Sequence, residues 1–132
     1  MTKQTLNKTH KEFEQQHLIE SFLEVAYIWQ LSDDETFDIS NLRSFDTFQL
    51  WKHGIFPILE DDANKRLVVI VAINFLLKQC FSNSSQRLTW LKTGPDTFQG
   101  LTPLEYMLAG DNNTIDNVSK KLVLRLSILR TA

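Results

Sequence analysis

The stretch from Leu67 to Phe81 repeats apolar residues at helical spacing, Leu67, Ile70, Val71, Leu77 and Phe81, and fills the places between them with Val68, Val69, Ile73, Phe75 and Leu76. A helix apolar on most of its sides must be covered from several directions at once. Asn74 interrupts the run, which falls far short of the ~18 consecutive apolar residues that a membrane span takes. The segment therefore reads as the buried central helix of a folded domain, and the rest of the chain has to supply its cover.

That cover is written at the same period. Leu18, Ile19, Phe22, Val25, Ala26 and Trp29 form one stripe of a first helix predicted from about Thr9 to Gln30, with Glu14, Gln15, Glu20 and Glu24 left outside it. Ser32 stands three residues before Glu35, the capping-box spacing, so a short second helix is expected to start there. After a break at Ser40-Asn41, Phe45 to His53 is a third amphipathic stretch closed by Gly54. Pro57 interrupts the chain, and Asp61-Asp62 open the central helix. Ser84 or Ser85 is expected to cap a short helix through Leu91, ended by Thr93-Gly94-Pro95. Thr102-Pro103-Leu104-Glu105 combines an N-cap hydroxyl, a proline in the first turn and a capping glutamate, and Gly110 ends that helix. The last helix is expected from Asn113 or Thr114 almost to the C-terminus.

No segment alternates with period two between hairpin turns, so the predicted fold is all-α with about seven helices. Residues 1–60 form an N-terminal unit with the outline of a helix-turn-helix, packed on a C-terminal unit, residues 61–132. A chain of 132 residues is about what one core serves, and the two units are expected to share it.

Little in the sequence points to catalysis. Cys80 is the single cysteine, and with three histidines it is too few for the usual zinc spacings. His10, Glu14 and His17 share one side of the first helix but have no further ligand motif, and His53 sits where a helix C-terminus favours a cation. There is no nucleophile elbow and no phosphate-cradling glycine loop, so neither an enzyme, a metal nor a cofactor is expected. The polar N-terminal segment and the lone thiol fit a cytoplasmic protein.

Charge separates two rival binding roles. Between Ser32 and Gly54 five acids stand against Arg43 and Lys52. Phosphate approach needs cations, so Arg43, Ser44, Thr47, Gln49 and Lys52, the candidates on a recognition helix, would give operator DNA weak binding. In the last helix four cations face only Asp116. There Ile115, Val118, Leu122, Leu126 and Leu129 gather on one face, with Leu124 and Ile128 nearly opposite. Those two are either scattered surface apolars or a docking stripe for a partner or a second copy.

The string from Arg87 to Gly110, RLTWLKTGPDTFQGLTPLEYMLAG, resembles the signature of the toxin-binding domain of the Xre/MbcA/ParS antitoxin family. The matching residues are Trp90-Leu91, Pro95-Asp96, Phe98, Gly100, Thr102-Pro103-Leu104 and Met107-Leu108-Ala109-Gly110. Upstream, Trp29 to Glu35 is similar to the start of the family's second helix, Trp51-Lys52-His53-Gly54 to the end of its recognition helix, and Arg66 with the apolar run to its central connector. The resemblance implies a dimeric antitoxin that neutralises a cognate RES-domain, NAD-consuming toxin by steric occlusion and represses its own operon. Toxin contact would fall on Leu124, Ile128, Leu129, Arg130, Thr131 and Ala132. Trp90, Leu91, Phe98, Leu104 and Leu108 would be scaffold, and Gly100 and Gly110 backbone punctuation. The alternatives are a DNA-binding regulator without a toxin, or a dimeric scaffold that has lost both roles.

Overall fold

The structure, a computed structural model, describes residues 10–94 and 98–131. Thr9, Pro95-Asp96, Ala132 and the side chain of Thr131 lie outside the described residues. The fold is all-α: α1 (His10–Ile28), α2 (Asp33–Ser40), α3 (Phe45–Lys52), α4 (Asp61–Cys80), α5 (Ser84–Thr93), α6 (Pro103–Ala109) and α7 (Asn112–Thr131). Apart from the helices, the described residues hold one isolated bridge, Phe98 to Leu101, closed around Gln99 and Gly100 at positive φ.

Capping chemistry sets most of the boundaries. Ser32 and Glu35 exchange side-chain bonds with each other's backbone N–H groups at the start of α2, and Thr102 and Glu105 do the same for α6. Three ends differ from the sequence expectation. Asn83, not a serine, caps α5 by accepting from Gln86 N–H. Asp111 accepts from Thr114 N–H one residue before α7 begins at Asn112. Helix α1 stops at Ile28 because Gln30 takes the left-handed conformation, φ 59°, while Leu31 N–H reaches back to the Ala26 carbonyl. That is the hydrogen-bonding of a glycine-type C-cap carried out by a glutamine, a substitution that composition gives no cue for. Gly54 fills the same role after α3 at φ 79°, with Ile55 N–H donating to the Leu50 carbonyl.

Helix α4 is the axis of the molecule. Leu67, Ile70, Ile73 and Leu77 are completely buried, in one cluster with Ile19 and Phe22 of α1, Trp29 just after it, Ile39 of α2, Phe48 and Trp51 of α3, and Ile115, Val118 and Leu122 of α7. The buried Asn74 accepts from the Trp29 indole N–H at 3.0 Å, while Gln15 near the start of α1 accepts from Leu59 N–H and donates to the Pro57 carbonyl. Residues 15 and 29 thus lie beside residues 57–59 and 74, so α1 runs in the same sense as α4. Gln15 is buried in doing so, contrary to its expected place outside the stripe. At the other flank Asn112 donates to the Asp62 carbonyl and the Cys80 thiol lies 3.7 Å from the Leu122 carbonyl, so α7 also runs parallel to α4.

One guanidinium ties the pieces together. Arg66 is 1% exposed; its Nε donates to the Ile39 carbonyl, Nη2 to the Met107 carbonyl and Nη1, at 3.5 Å, to Asn112 Oδ1. Ile39 and Met107 lie in the last turns of α2 and α6, where helix carbonyls have no intrahelical partner and carry the negative end of the dipole.

Candidate functional site

Two regions gather the residues singled out from the sequence, and the structure treats them differently. The first is the end of α7. Ile115, Val118 and Leu122 are fully buried, yet Leu129, on the same stripe, is 51% exposed and Leu126 only half-buried. The expectation that all five face the core is corrected for its last two members, and the reason is length. Helix α4 ends at Cys80, level with Leu122, and Arg125 lies over the Phe81 ring at 4.7 Å. Beyond Arg125 the helix outruns the element it packs on. Leu124 and Ile128, 58% and 60% exposed, point away on the opposite side. The final turns therefore carry apolar side chains on two faces, with Arg125 on one side between them and Ser127 and Arg130 on the other.

The second region is the α2–turn–α3 unit. Its two helices are joined by Asn41 to Ser44, with Asn41 left-handed at φ 57°. Phe37, Phe45 and Phe48 pack as an aromatic trio, with ring centroids 5.2 to 6.0 Å apart. The candidate DNA contacts are held locally. Lys52 pairs with Asp33, and Arg43 lies 3.6 Å from Glu60. Ser44 begins α3 without a side-chain cap bond, and Thr47 and Gln49 are half-buried. Arg43, Ser44 and Thr47 do come together, on the wall of a cavity of about 450 Å³ that also holds Glu60, Asp62, Asp111 and the edge of Arg66. Three carboxylates against two guanidiniums give that cavity no preference for a phosphate.

Between these regions lies the Arg87–Gly110 stretch. Trp90, Leu91, Leu104 and Met107 are buried, and Phe98 stacks on Tyr106 at 4.8 Å. Gly94 and Gly110 matter for space rather than for φ. A Cβ at Gly94 would sit 2.7 Å from the Trp90 carbonyl oxygen, and one at Gly110 would meet the Thr114 side chain at 2.2 Å. Gly100 alone of these three has positive φ, 84°.

The three histidines, Cys80 and Arg66 each have structural contacts. His10 contacts Glu14 at 2.8 Å, and His17 lies 4.0 Å from Glu20. His53 Nδ1 is 2.9 Å from the Gln49 carbonyl oxygen, and Cys80 is half-buried, its thiol pKa raised by that burial and opposed by nearby Arg125. Burial lowers the Arg66 pKa to about 10 against the opposing pull of Asp111, which leaves it charged at neutral pH. Among the described residues no three His, Cys, Asp or Glu side chains converge as a metal site, and no single helix is long and apolar enough to cross a membrane.

Sequence reasoning named two of the groups that position these regions without giving their hydrogen-bonding roles. Arg66 stands in the sequence beside a leucine like any surface cation, and only the assembled helix ends reveal its three acceptors. Asn74 did leave a signal, as the lone polar residue in an apolar run. No protein-family model matches the chain, and neither a curated protein nor a solved structure matches it.

Proposed function

We propose that the chain is an antitoxin-type binding protein that acts by occlusion: the projecting end of α7 docks over the pocket of a RES-domain, NAD-consuming toxin. The observation that carries this reading is that overhang. Leu126 and Leu129 continue the core stripe where no core remains, and Leu124 and Ile128 add a second apolar face. Large apolar side chains kept in water on a helix tip are characteristic of a surface that is covered by a partner. Arg130 beside them suits an acidic rim on that partner. The similarity of Trp90 to Gly110 to the family's toxin-binding signature supplies the partner's class. Operator binding is given a secondary role, because five acids stand against Arg43 and Lys52 between Ser32 and Gly54.

The test is co-expression with a RES-domain toxin of the proposed kind. The chain should restore growth to cells making the toxin, and Leu124→Asp or Ile128→Asp should abolish the rescue without loss of soluble protein. Rescue undiminished by both changes would remove the α7 end from the mechanism.

A further inference from the structure

We draw no further inference here: the strongest candidate, the exposed apolar ridge of Val68, Ala72 and Phe75 along the solvent side of α4, is an unpartnered face, and nothing in the structure shows what covers it.

Discussion

A guanidinium with no carboxylate within bonding distance is costly to bury unless dipoles replace the counter-ion. Arg66 is held that way, by the last-turn carbonyls of α2 and α6 and by the Asn112 amide oxygen. Truncating it leaves those carbonyls inside the protein without donors. Arg66→Ala should cost about 3–5 kcal/mol by analogy with breaking a buried polar network, read as a lowered urea midpoint. Arg66→Lys should recover little of this, since an ammonium cannot fork to acceptors on two helices. Glu105 gives a prediction in pH. Its bonds from Thr102, the backbone N–H first, hold its carboxyl below the ordinary range. A depressed folded pKa adds stability that is fully present above the unfolded value of about 4.3 and disappears as pH falls through the folded one. Glu105→Gln should lower stability slightly at neutral pH, match wild type at acid pH, and so flatten the acid limb of the stability curve. An unaltered acid limb would show that the capping box contributes no proton linkage.

At the scale of single elements, the glycines sort by what they do. Gly54 supplies a left-handed turn with open space around it, whereas Gly94 lets a backbone carbonyl approach. Gly54→Ala should cost about 1 kcal/mol, a conformational penalty. Gly94→Ala should cost about 1–3 kcal/mol, because Trp90's main chain must yield. Equal small losses at both would mean that the α5 end relaxes freely. Helix α7 has the same divided character along its length. Its first three turns are core, and its last are not. Leu124→Asp and Ile128→Asp should therefore leave thermal stability within ~0.5 kcal/mol of wild type, as exposed sites do, while Leu122→Asp should unfold the chain by burying a charge. Helix periodicity alone distinguished Leu124 and Ile128 from the core face. It could not show that Leu129 leaves the core, because where α4 stops alongside α7 is a tertiary fact.

For the molecule as a whole, the helix count, the capping boxes at Ser32 and Thr102 and the core face of α4 were legible because each rests on local spacing, whereas Val68 and Phe75, expected under cover, are 48% and 62% exposed. What was not legible depends on distant segments meeting. Gln15, placed outside the stripe of α1, is bonded by the 57–59 turn, the acceptors of Arg66 come from two helix ends, and Gln30, expected inside the first helix, takes the left-handed stop after it. The charge pattern shows the same contrast. The mild overall −2 conceals an acidic α1 and a basic α7 on opposite sides of α4, and the cations near α3 are tied up in pairs. Together these features leave large apolar side chains exposed along α4 and at the tip of α7.

The most direct measurement of the central reading is a titration of NAD consumption by a RES-domain toxin of the proposed kind against this chain. Wild type should suppress the activity with a sharp equivalence point. Leu124→Asp, folded by circular dichroism, should shift half-inhibition by about 10-fold or more, the ~1.4 kcal/mol expected of a peripheral apolar contact turned charged. Unabated NAD consumption at saturating wild-type chain, or inhibition identical for the two proteins, would contradict occlusion by the end of α7.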